Sequence, residues 1–197
     1  MSKILIYNKH KYGGNMENEQ INWSKALLYS YSNLEQICDA IDKTVLNYGI
    51  GSFNSNQTMI VADKILSLIS RKKRLINIKV LVDNVLNNIS TSSAKILTVR
   101  YIDKVKTEIA SKVLNMSNRN FFRRLNQAVH EFATEIKKQG FDSKVLHEKF
   151  KSEFWILEIY NSYNQKQNER KNLDNFNIIG LDLNSIKSKK VSYGVYR

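Results

Sequence analysis

Proline is absent from the 197 residues, and cysteine occurs once, at Cys38. Without proline no residue forces a helix to break, so long helices are permitted throughout. A single cysteine excludes an internal disulfide and a thiolate metal cage. The stretch around it, Leu34 to Ile41, has amphipathic helical spacing, so a buried structural thiol is expected rather than a nucleophile. A reducing cytoplasm is the simplest compartment for such a chain. No apolar run approaches the roughly 18 residues of a membrane-spanning helix. The run Ile4 to Tyr7 is too short for a secretory signal, and Met16 is a second candidate start. The seven glycines are scattered, and Gly49-x-Gly51 is followed by nothing that would complete a phosphate loop. The three histidines, His10, His130 and His147, lie far apart, and His147-Glu148 lacks the second histidine of a zinc-protease helix. The expectation is a protein without enzymatic activity, cofactor or metal.

Acidic residues are also scarce: 18 against 31 basic ones, a net charge of +13. An excess of that size points to nucleic acid or another anionic partner. The Ile, Lys and Asn bias and the missing proline suggest AT-rich coding, which raises lysine everywhere. It does not account for Arg119, Arg123 and Arg124, three arginines within six positions.

Along the chain, residues 1–20 read as a mobile arm in which Ile4 to Tyr7 could form a short strand. Residues 21–53 form an N-terminal helical segment and linker. Trp23, Ala26, Leu27 and Tyr31 make one stripe and Ile37, Ile41, Val45 and Leu46 another, with a break near Tyr31 to Asn33. Gly49 to Asn56 is the clearest linker. Residues 54–140 form the central domain, with two leading helices. Met59, Ile60, Ala62, Ile65, Leu66 and Ile69 define a face of the first. Arg71 to Arg74 read as a solvated turn, or as a phosphate-contacting patch. Residues 141–162 hold C-terminal helices, including the stripe Trp155, Ile156, Ile159 and Tyr160, and 163–197 form a mobile basic tail. No heptad seam announces a dimer. The fold class expected is an all-α helical bundle with flexible extensions.

The most informative stretch runs from Ser90 to Phe132. Ser90 or Thr91 can cap a first helix carrying Ile96, Leu97, Val99 and Tyr101. A polar turn follows, then a helical stripe of Ile109, Ala110, Val113 and Leu114. Asn115 can take the left-handed conformation that ends a helix, and Ser117 can accept the first free amides of the next. That next helix turns Phe121, Leu125, Ala128, Val129 and Phe132 inward. Asn118, Arg119, Asn120, Arg123, Arg124 and Gln127 remain for its outer face, a basic and amide-rich surface suited to phosphates and base edges. Arg119, Asn120, Arg123 and Gln127 have the chemistry to read bases; Ser117, Arg124 and Lys112 that to hold phosphates.

The series Ile96-Leu97-x-Val99-Arg100-Tyr101, Glu108-Ile109-Ala110-x-x-x-Leu114-Asn115-Met116-Ser117 and Phe121-x-x-Arg124-Leu125-x-x-Ala128 resembles region 4 of sigma-70-type factors. More specifically it is similar to short regulators of that kind in low-GC Gram-positive bacteria and their phages. It departs from them in a turn between Tyr101 and Ile109 shorter by one residue, and in Asn115 where glycine is common. The resemblance implies a helix-turn-helix whose second helix, 118–132, enters the major groove of double-stranded DNA, a transcription regulator, and RNA polymerase as a further partner. In that family Arg100 is a structural residue rather than a contact. The chain before the linker lacks the aromatic-rich basic helix of a complete sigma factor, so an auxiliary factor or activator is expected. The alternative is a helix-turn-helix that binds protein or RNA, docking through the Trp155 to Tyr160 stripe.

Overall fold

The computed structural model describes residues 3–51 and 58–178, and among them there is helix and no strand. The helices are α1 (Lys3–Gly51), α2 (Thr58–Asn88), α3 (Thr91–Leu97), α4 (Thr107–Val113), α5 (Asn118–Lys138), α6 (Ser143–Phe150) and α7 (Phe154–Ile178). Helix α3 runs into a π-helical turn, Thr98–Ile102. Four expectations change. Residues 4–7 are helical rather than a strand, α1 passes Tyr31 to Asn33 without a break, and α2 is one helix of 31 residues where two leading helices were expected. Tyr163 to Asn177, read as tail, continues α7. With no proline to interrupt the backbone, polar clusters alone do not end these helices. The later part of the linker and the basic run Lys187 to Lys190 lie outside the described residues.

The middle of α1, residues 20–34, is the axis of the molecule. Ile21, Trp23, Ala26, Leu27, Leu28 and Leu34 are buried, and so are the polar side chains of Gln20, Asn22, Ser24 and Ser30. Small and amide side chains on the remaining faces let neighbours pack on every side. Gln20 donates to the Phe141 carbonyl at 3.0 Å, and Asn22 donates to Asn164 Oδ1 at 2.6 Å. Trp23 stacks on Tyr160 with ring centres 4.2 Å apart and meets Phe150 and the edge of His147. Buried residues from three of the segments distinguished in the sequence, 21–53, 54–140 and 141–162, share one hydrophobic core.

Helix α2 joins this core through its second half, where Leu75, Ile78, Leu81, Val82 and Val85 are buried. Tyr31 donates to Asp83 at 2.6 Å, pinning α1 to α2. Arg71 and Arg74 lie inside the helix rather than in a turn, and both guanidiniums approach one carboxylate. Arg71 makes a two-pronged bond to Glu153, at 3.1 and 3.0 Å to Oε2, and Arg74 approaches the same carboxylate at 3.6 Å. Glu153 is 1% exposed, and Trp155 Nε1 also donates to it. A carboxylate this deep requires such partners, because desolvating it unpaired costs several kcal/mol. Lys72 pairs with Asp42 at 2.6 Å.

Candidate nucleic-acid interface

The short helices α3 and α4, the long α5 and the turns between them hold this face. Ser90 caps α3, accepting from the Ser93 amide. Asn115 takes φ +52 and ends α4, where Met116 N–H bonds the Ser111 carbonyl at 2.8 Å. Ser117 caps α5 by accepting from the Asn120 amide at 3.3 Å. These junctions follow the local chemistry expected of Asn and Ser. Gly140, at φ +85, ends α5. Between α3 and α4 the shortened turn is closed by Lys104 at φ +54, a left-handed conformation that costs a non-glycine residue about 1 kcal/mol or more. Arg100 spans this turn, donating to the Val105 carbonyl at 3.4 Å. That is a structural task, not a surface contact.

Helix α5 is anchored by one stripe. Phe121 and Phe132 are fully buried, and Ala128, Val129, Ala133, Ile136 and Leu125 are at most 7% exposed. Arg119, Arg123, Arg124 and Gln127 are exposed on its other sides. Asn118 to His130 contains no carboxylate to neutralise them. The first acid beyond, Glu131, is already occupied. It accepts from the Ser90 amide at 2.7 Å, from the Ser90 hydroxyl at 3.1 Å and from the Ser93 hydroxyl at 2.6 Å. Burial pushes its pKa up, but these three hydrogen bonds outweigh it and hold the carboxyl below the ordinary value. Glu131 thereby ties the start of α3 to the middle of α5.

The remaining expected contacts divide. Asn120 Oδ1 accepts from Arg123 at 3.1 Å and so orients that guanidinium. Asn118 Oδ1 receives the hydroxyl of buried Ser111 at 2.6 Å, joining α4 to α5. Ser117 spends its oxygen on the cap. Lys112 is exposed near the end of α4. Arg123, Arg124 and Gln127 also line a polar cleft of about 240 Å³ with Ser90, Ser92, Ser93 and Ile96.

Two exposed residues on this surface escaped the sequence reading. Asn126 follows Arg123 by three and Arg119 by seven, a helical spacing that could have identified it. Phe122 is 52% exposed, its ring edge-on to Phe121. The inward set that starts at Phe121 leaves it outside the core, but an apolar ring carries no polar chemistry to mark it as a contact. His130 is exposed and lies 3.8 Å from Glu17. The Trp155 to Tyr160 stripe is not an open docking face: Ile156 is fully buried, Tyr160 is 9% exposed, and Trp155 and Ile159 pack against the core.

Cys38 is half-buried against the core, and burial pushes its thiol pKa up. Among the described residues no cluster of His, Cys, Asp and Glu is placed to hold a metal ion, and no helix is long and apolar enough to cross a membrane.

In the comparison with protein families, the family described as "Protein of unknown function (DUF1492)" aligns with residues 57–133. That segment runs from α2 into α5 and covers less than half of the chain. No curated protein and no solved structure matches the chain.

Proposed function

We propose that this protein binds double-stranded DNA sequence-specifically and regulates transcription, with α4, the Asn115 turn and α5 acting as a helix-turn-helix of the sigma-70 region 4 kind. One observation carries the reading: the arginine-bearing side of α5 is exposed, with no carboxylate from Asn118 to His130, while its apolar side is locked into the core. A helix held in this way presents its side chains from a rigid base, as groove readout requires.

Arg119 and Arg123, with Asn126 beside them, face outward from α5 as base readers. Arginine pairs in two-pronged fashion with guanine O6 and N7, and amides pair likewise with adenine. Asn120 serves Arg123 by fixing its guanidinium. Phe122 offers an apolar surface to a thymine methyl group. Lys112, Arg124 and Gln127 hold the sugar-phosphate backbone, the last two from the serine-lined cleft. Ser117 and Asn118 act through the α4–α5 junction rather than by direct contact. RNA polymerase is the further partner that the resemblance implies, and co-purification with core polymerase tests it.

Selection of bound duplexes from a random pool should return a preferred site. On that site Arg123→Ala should cost about 1–3 kcal/mol and relax one base position, whereas Lys112→Ala should weaken all sequences alike and lower the salt slope by about one. An Arg123→Ala protein with an unchanged ratio of preferred-site to random-duplex affinity would remove Arg123 from base reading.

A further inference from the structure

The first half of α2 carries two apolar stripes, and the fold uses only one. Val61, Ile65 and Leu68 are half-buried and lead into the buried Leu75, Ile78 and Val82. The second stripe is uncovered: Met59 is 79% exposed, Leu66 61%, Ile69 50%, Ile76 43% and Val80 49%, with exposed Ala62 and Lys73 between them. Its order is Met59, Ala62, Leu66, Ile69, Lys73, Ile76, Val80, with intervals alternating three and four. That is a heptad seam of three repeats. It passes unnoticed in the sequence because the apolar residues of the inner stripe are interleaved with it.

We propose that this seam pairs with the same seam of a second copy, with the two α2 helices antiparallel. The choice of occupant follows from self-complementarity. With residue numbers in each layer summing to 135, Met59 meets Ile76, Leu66 meets Ile69, and Ala62 meets Lys73, each contact occurring twice across the two-fold axis. The seam's one long charged side chain therefore lies over its one small residue. The aliphatic stem of Lys73 covers Ala62, and its ammonium reaches the seam edge where exposed Asp63 sits beside Ala62. A parallel pair would instead stack Lys73 on Lys73 and leave a gap at Ala62. A single lysine in a seam position is a known means of fixing register and orientation. The paired stretch, Met59 to Ile76, is about 26 Å long at the α-helical rise. It exposes several hundred Å² of apolar surface per copy, the size of patch that marks protein interfaces, and flanking residues bring it towards the roughly 800 Å² each partner gives to a stable pair.

The proposal does not depend on DNA binding, and its test uses no DNA. Sedimentation equilibrium of the full chain between about 1 and 100 μM should show a species of twice the 22.9 kDa chain mass. Leu66→Glu changes an exposed side chain, so its circular dichroism should match wild type while its dimer weakens at least about tenfold. Lys73→Glu should weaken the dimer too, by setting like charges side by side, and Asp63→Lys added to it should restore association. A single-chain mass throughout that range, a Leu66→Glu protein that dimerises as wild type does, or a double variant no tighter than Lys73→Glu alone would each overturn the proposal.

Discussion

Helices α5 and α2 are both long, and each carries a regular apolar stripe, yet they stand in opposite relation to their surroundings. On α5 every large apolar residue of the stripe is buried and only Phe122 lies bare. Its other sides are polar, so no alternative orientation competes. On α2 the first half is apolar on several sides, and packing against α1 covers one stripe while leaving another open. A single apolar stripe tells a helix which way to face; two stripes let it satisfy one neighbour in the fold and keep the other for a partner. The difference separates a rigid presenting helix from a helix with an uncovered face.

Truncation should expose this contrast most sharply. Phe132→Ala on α5 should lower unfolding free energy by about 3–5 kcal/mol, because a fully buried aromatic leaves both lost transfer energy and a cavity. Leu66→Ser on α2, measured by denaturant melts at concentrations too low for association, should change stability by no more than about 0.5 kcal/mol. Equal costs at the two positions would mean that α2 is covered within one chain after all.

A smaller effect is expected where the exposed helix is tied to the core. Glu153→Gln removes the charge that Arg71 and Arg74 share. Both arginines are about two-fifths exposed, at 39% and 43%, so water can take over much of their solvation and the loss should be about 1–3 kcal/mol. Hydrogen exchange should show the loss concentrated in α2 and the start of α7. Uniform loss across α5 as well would argue against a local clamp.

The smallest effect belongs to the α3–α5 tie. Glu131→Gln should cost about 1 kcal/mol near neutral pH by weakening the serine bonds. The folded-state pKa of Glu131 lies below its ordinary value. Its contribution is therefore complete above the unfolded-state pKa of about 4.3 and disappears as pH falls through the lower folded value. The stability gap between wild type and variant should close on acidification below about pH 4. A gap that instead widens in acid would reverse the assigned sign.

Short-range chemistry was enough for the parts of the site that depend on near neighbours. A cap at Ser90 or Thr91, the Ser117 cap, the left-handed Asn115, and the inward set Phe121, Leu125, Ala128, Val129 and Phe132 were all readable. Each depends on residues within one or two turns and on one unambiguous stripe. The division of labour among the outer residues was not readable. Asn118 and Asn120 have the same side chain, and only Ser111 and Arg123 beside them assign one to the junction and the other to a guanidinium.

Elsewhere the deciding partner is far away in the chain. Arg71 meets Glu153 across 82 positions, so no local pattern could distinguish a clamp from a solvated turn. The predominance of helix among the described residues, the basic charge and the facing of α5 follow from composition and period, which are properties of the chain alone. The central place of α1, the burial of the Trp155 to Tyr160 stripe, the strained Lys104 and the choice of which α2 stripe turns inward belong to the packed molecule. Burial depends on which surfaces compete for the same neighbour, and that competition is resolved only when the seven described helices are packed together.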